Sequence, residues 1–193
     1  LAHGGAEKVL VNLVNNMDKT KYDITVMTLF DVGVNRQYLK KNIRYRYCFK
    51  RMFRGNSHIM KIWSPKQLHH RFIKEHYDIE VAYLEGPCAR IISGCPDQST
   101  KLISWIHIEQ HTQSKAAASF RNCSEAERCY NRFDKIVCVS ETVKQDFTSL
   151  IDLKNTPCVL YNTNESNAII KKAREDVEDV NFSGSEIKLI MVG

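Results

Sequence analysis

No apolar run in the sequence approaches the roughly 18 residues that a membrane-spanning helix requires. No basic, apolar and small-residue leader precedes the first amphipathic segment either. These absences predict a soluble, cytoplasmic chain. G-x-G-x-x-G and G-x-x-x-x-G-K-[ST] are both missing, which excludes the dinucleotide fingerprint and the P-loop. There is no C-x-x-C, so neither a zinc ribbon nor a redox dithiol is indicated. The seven cysteines are odd in number, scattered and mostly set among apolar neighbours, as reduced core thiols are. No internal repeat or low-complexity tract occurs. The 193 residues suffice for one good-sized core, or for one domain and part of a second.

Acidic residues are absent between Arg36 and Lys74, where twelve Lys or Arg fall, while the rest of the chain carries 16 basic against 22 acidic residues. The net charge of +6 therefore hides a local basic segment. Tyr38, Tyr45, Tyr47, Phe49, Met52, Phe53, Ile59, Met60, Ile62 and Trp63 are interleaved with those charges. This mixture suits an anionic lipid surface, where each nearby Lys or Arg contributes about 1 kcal/mol. It also suits nucleic acid, and equally a solvated basic face over ordinary core residues.

The periodicity alternates between helix and strand. Ala6, Val9, Leu10, Leu13, Val14 and Met17 share one helical face over residues 6–17. Residues 22–30 read as a strand, and Ile43, Tyr45, Tyr47 and Phe49 alternate with Arg44, Arg46, Cys48 and Lys50 in a second one. Ser64 and Pro65 open a helix that buries Leu68, Phe72 and Ile73. Residues 79–84, 101–106, 135–140, 157–162 and 187–192 are short apolar runs of the kind found in a covered parallel sheet. Helices are expected after Gly86, from Ser124 and from Ser140, whose hydroxyl is placed as a cap. The order predicts an α/β fold: a Rossmann-like, doubly wound, mostly parallel sheet with helices on both faces.

Ligands of such sheets bind beyond the carboxyl ends of the strands. The residues there are Gly4 and Gly5 before the first helix, Glu85 and Gly86, His107, Ser140 and Glu141, and Asn162. The glycine pair lets backbone N–H groups approach a phosphate at a helix start, or forms only a structural turn. Glu7 suits the first turn of that helix electrostatically. HIEQH would place His107 and His111 on one helical face, but it is not H-E-x-x-H and a third ligand is missing, so no metal is assigned. His107 is instead expected to enter the crevice as a hydrogen-bonding or proton-transferring group, or to be a satisfied structural histidine. His69 and His70 are assigned to a surface.

The ordered segments GGAEKVLVNLVNNM, KLISWIHIEQH, FDKIVCVSETVKQDF, VLYNTNES and IKLIMVG resemble the amino-terminal half of a GT-B glycosyltransferase of the retaining family 4, especially bacterial enzymes of capsule and surface-polysaccharide assembly. The resemblance covers essentially the whole chain. It implies one lobe of a GT-B enzyme that moves a hexose-type sugar from a nucleotide-sugar donor to a glycan or lipid-linked acceptor hydroxyl. No cofactor or metal is implied, and the basic segment at 36–74 would meet an anionic membrane at the inner face. Gly4, Gly5 and Glu7 match the loop facing the donor phosphates and the acceptor, and His107 the histidine beside the transferred sugar. Ser140 and Glu141 match the start of the last large helix, and Asn162 the asparagine leading to the second domain. Glu85 and Gly86 are carried as donor- or acceptor-binding residues by their place after a strand.

The implied domains are an acceptor-side domain at 1–162 whose first strand is missing, a linker and helix at 163–186, and the first strand of a donor-binding domain at 187–193. Asn162-Thr163-Asn164-Glu165 departs from the family's usual Asn-Gly/Pro-hydrophobic-Asp. On this reading the chain is a fragment, inactive alone, and the sheet should show a gap or a substitute where the lost strand belongs. A nucleic-acid-binding module and a non-catalytic sugar-binding α/β domain are the alternatives.

Overall fold

The computed structural model describes residues 4–53 and 60–176. The strand expected at 187–192 and Ile59 of the basic segment lie outside the described residues. The chain divides into two units, residues 1–163 and residues 164–193. In the second, α7 (Ser166–Lys172) is a short helix.

Within the first unit, α1 (Gly5–Asn16) leads into β1 (Thr25–Phe30), a 3₁₀ turn at Asn35–Tyr38 and β2 (Arg44–Phe49), which pairs with β1 in parallel. Val11 and Val14 of α1 bury against Val26 and Ile43. The stripe is therefore turned from the expected one, because α1 packs against this small sheet and leaves Val9 and Leu13 only half-buried.

Then come α2 (Pro65–Phe72), β3 (Ile79–Ala82), α3 (Pro87–Ile92), β4 (Lys101–Ile106), α4 (Gln113–Ala116), α5 (Cys123–Tyr130), β5 (Lys135–Cys138), α6 (Glu141–Leu150) and β6 (Cys158–Val159). The expected strands at 135–140 and 157–162 are shorter than the apolar runs suggest. Apolar character continues past the ladder because Val139 and Leu160 still pack or pair locally.

β3, β4, β5 and β6 form a second all-parallel sheet in sequence order. Ala82, Leu102, Ile106, Ile136 and Cys138 meet α3 to α6 in the main core, around Phe120, Tyr130 and Phe147. Parallel strands joined through helices are the Rossmann-like arrangement, and the sheet shows the interruption that was expected of it. Among the described residues, no strand joins the β1–β2 pair to the β3–β6 sheet.

Side chains bridge the halves instead. Leu29 and Phe49 of the small sheet pack with Met60, Leu68 and Ile91. Burying Leu68 fully contributes roughly 1.5–3 kcal/mol. Ser64 and Gln67 close a reciprocal cap on α2, with Pro65 in its first turn. Arg90 of α3 is 1 % exposed and grips both Glu125 oxygens at 3.0 Å. It also donates to the Met60 and Trp63 carbonyls at 2.7 and 2.8 Å, fastening the segment before α2. Gly94 has a steric role: a Cβ there would stand 2.0 Å from the Pro65 carbonyl oxygen.

Candidate functional site

Strand ends bring three of the expected groups together. β4 and β3 are neighbours, so His107 and Glu85 leave adjacent strands on the same side of the sheet. Glu85 accepts the His107 backbone N–H at 3.2 Å and the Gln110 side-chain amide at 3.4 Å. Burial pushes the Glu85 carboxyl up from its ordinary value, against hydrogen bonds from these groups that pull it down. Gly86 has φ +76°, a conformation that favours glycine, and its N–H donates to the Tyr130 hydroxyl. Burial raises that phenol.

The His107 ring lies 4.6 Å from the Tyr83 ring and 6.4 Å from Trp105, centroid to centroid. Burial lowers the imidazole below its ordinary value, while a hydrogen bond to the Tyr83 backbone and the charge of Glu7 oppose that shift. The net shift favours the neutral ring. Nε2 is buried without a hydrogen-bond partner among the described residues, as are Tyr83 Oη and Trp105 Nε1. With the other ring nitrogen turned to a carbonyl as donor, Nε2 is left as a lone-pair acceptor. Buried polar atoms without partners are costly, and they mark places where a ligand or water completes the pairing.

Glu7 reaches this group electrostatically, acting on both His107 and Cys88. It also folds over its own helix start: a Cβ at Gly4 would stand 2.1 Å from a Glu7 carboxylate oxygen, whereas Gly5 faces open space.

The remaining expected residues stand apart. Ser140 caps α6 by accepting the Val143 N–H at 3.2 Å, and Glu141 pairs with Lys144 on the exposed surface. Asn162 is exposed beyond β6. Among the described residues, no hydrogen bond joins these three to His107. HIEQH forms no helix; His111 has φ +62°, and Asp146 accepts the Gln110 N–H at 2.6 Å and the His111 N–H at 3.1 Å. His107 and His111 thus do not share a helical face.

The sequence profile of Glycosyltransferase Family 4 matches residues 3–163. The chain belongs to glycosyltransferase family 4. That match covers all the strand-end loops just described, and it assigns a glycosyltransferase-type function with sugar donor and acceptor as partners. Comparison with curated proteins finds no match. For this family 4 chain, sequence reasoning missed Tyr83, Trp105, Gln110 and Asp146 as neighbours of the histidine loop. Alternation along β3 and β4 was the available signal for the two aromatics, since residues 83, 105 and 107 fall on one face.

The basic segment of this family 4 lobe is mixed in character. Arg36, Arg44 and Arg46 pair with Asp31, Asp23 and Glu75, acids that lie outside the segment. Tyr38, Tyr47, Met52 and Ile62 are exposed, while Met60 is buried and Phe49 and Trp63 pack against its cluster. Tyr47, expected on the buried side of its strand, is exposed, while Tyr45 and Phe49 on the same side are half-buried. His70 is exposed, but His69 is buried against Glu80, which corrects its surface assignment. Among the described residues, no helix is long and apolar enough to cross a membrane.

Proposed function

We propose that this lobe supplies the acceptor side of a retaining glycosyltransferase that moves a hexose-type sugar from a nucleotide sugar to a hydroxyl of a glycan or lipid-linked acceptor, in bacterial surface-polysaccharide assembly. The observation that carries the reading is the unpartnered, buried Nε2 of His107, beside the Tyr83 ring and on a backbone held by Glu85.

In transfer, the bond from the anomeric carbon to the leaving phosphate oxygen breaks and one to the acceptor oxygen forms, while the hydroxyl proton passes to the released diphosphate. His107 Nε2 accepts a hydroxyl of the sugar or acceptor and fixes its orientation as positive charge develops on the sugar. Glu85 holds the His107 backbone in place. The α1 amides and the Gly4-Gly5 turn attract the donor phosphates once Glu7 swings aside. Ser140, Glu141 and Asn162 are proposed as donor or acceptor contacts of the assembled enzyme. Residues 163–186 are proposed as the linker to a donor-binding domain that begins at 187.

Exposed Lys and Arg of the 36–74 segment, with Tyr38, Met52 and Ile62 beside them, are proposed to rest on an anionic membrane that carries the acceptor. Full-length protein assayed against a panel of nucleotide sugars should release nucleoside diphosphate and transfer sugar with one of them, and His107→Ala should abolish transfer while the protein keeps its native circular dichroism spectrum. Transfer by His107→Ala at the wild-type rate would overturn the role of this residue. Stronger salt-sensitive binding to RNA or DNA than to anionic vesicles would overturn the membrane reading.

A further inference from the structure

His69 of α2, Glu80 of β3 and Cys95 after α3 converge in the interior, at 6, 6 and 1 % exposure. Their ligand atoms, a ring nitrogen, a carboxylate oxygen and a thiol sulfur, all lie within 4.8 Å of one another. His69 Nε2 faces both Glu80 oxygens at 3.0 and 2.9 Å. We propose that these three residues bind a structural zinc ion.

The donor set is the first reason. Imidazole, carboxylate and thiolate are the zinc ligands, and in a tetrahedral shell they stand on the order of 3.5 Å apart, so closing the observed gaps takes movements of about an ångström. Charge is the second: one thiolate and one carboxylate neutralise a dication, so the filled site adds no net charge to the interior. Rigidity is the third. The Cys95 N–H donates to the Ile92 carbonyl at 3.0 Å, and Arg132 donates to the Cys95 carbonyl at 2.8 Å, which fixes the thiol's backbone before any ion arrives. One water molecule is the fourth ligand that the proposal requires.

Binding requires the thiol proton to leave and the ring proton to move from Nε2 to Nδ1, so Nε2 presents its lone pair. Glu80 lies in the first half of β3, whereas Glu85 and His107 follow the carboxyl ends of β3 and β4. The ion is thus a staple joining α2, β3 and the turn after α3, remote from the transfer chemistry.

The full-length protein, stripped with a chelator, is titrated with Co²⁺ and with Zn²⁺. One Co²⁺ per chain should produce a thiolate-to-cobalt charge-transfer band, and Zn²⁺ should raise the melting temperature in a concentration-dependent way. Both responses should vanish in Cys95→Ser, a near-isosteric change that keeps the fold, and in His69→Gln. Absence of the band in the wild type, or a band or thermal shift that persists in Cys95→Ser, would overturn the proposal and leave a hydrogen-bonded trio only.

Discussion

Glu85 accepts the backbone N–H of His107 at 3.2 Å, so a carboxylate leaving one strand sets the backbone position of the histidine leaving the next. Because the bond goes to the main chain, replacing Glu85 moves His107 without altering it. Glu85→Gln keeps one acceptor and loses the charge, a loss of about 1.5–3 kcal/mol for a charged hydrogen bond. The expected outcome is a fall of about 10–100-fold in kcat/KM, carried mainly by kcat, measured by steady-state transfer assays.

The same carboxyl gives a stability signature. Burial raises its folded value above the ordinary one near 4.5, so the native state binds more protons than the unfolded state across that interval. Its contribution is fullest below pH 4.5 and is lost as pH rises through the raised value. Urea unfolding of the wild type and Glu85→Gln across this range should show the variant gaining relative stability as pH increases, then levelling off.

His107 shifts in the opposite direction, below the ordinary imidazole value of 6.5, with burial the main cause. Its contribution to stability is present above pH 6.5 and is lost as pH falls through the depressed value. Transfer activity should likewise have an acid limb centred below 6.5 that disappears in His107→Gln, read from kcat/KM against pH.

Arg90→Met leaves Glu125 buried without its bidentate partner, held only by the Arg121 N–H and the more distant Arg121 guanidinium, and about 3 kcal/mol of stability should be lost by denaturant titration. Burial alone would raise the Glu125 carboxyl, but Arg90 and the Arg121 N–H hold it below its ordinary value, so the pair's contribution exists above about pH 4.5 and is lost on acidification. Adding Glu125→Leu should restore part of the loss, not all, because the Met60 and Trp63 carbonyls still lack their donor.

At Gly94 the obstacle is backbone, not a movable side chain. Gly94→Ala must push the turn after α3 away from the start of α2, at a cost of roughly 1–3 kcal/mol, visible as a lower urea midpoint.

Local signals carried much of this architecture. The capping residues Ser64 and Ser140, the first-turn Pro65, and the apolar run of β4 each specify their element within a few residues, and the structure keeps them. Nonlocal relationships were not legible. Nothing near His69 announces Glu80 eleven residues on, nor Cys95 beyond it, because three elements must pack before the three side chains meet. Arg90 was the more readable case: a single charge inside PCARII, on a helix otherwise apolar, asks for a buried partner. The bend in HIEQH depends on Asp146, thirty-five residues past His111, so helical spacing alone misplaces that segment.

The divided sheet has a consequence for cooperativity. Among the described residues, backbone ladders end at β1–β2 on one side and β3–β6 on the other, leaving four open strand edges where a continuous sheet of six strands has two. Among the described residues, side chains couple the halves, chiefly the apolar cluster around Leu68, the Arg90 clamp and the Arg46–Glu75 pair. The small half, with its thin core of four buried aliphatic side chains, is therefore the piece that opens first, at lower free energy than the β3–β6 body. Amide protons of β1 and β2 exchange through that partial opening, while those of β4 and β5 wait for the whole lobe to unfold.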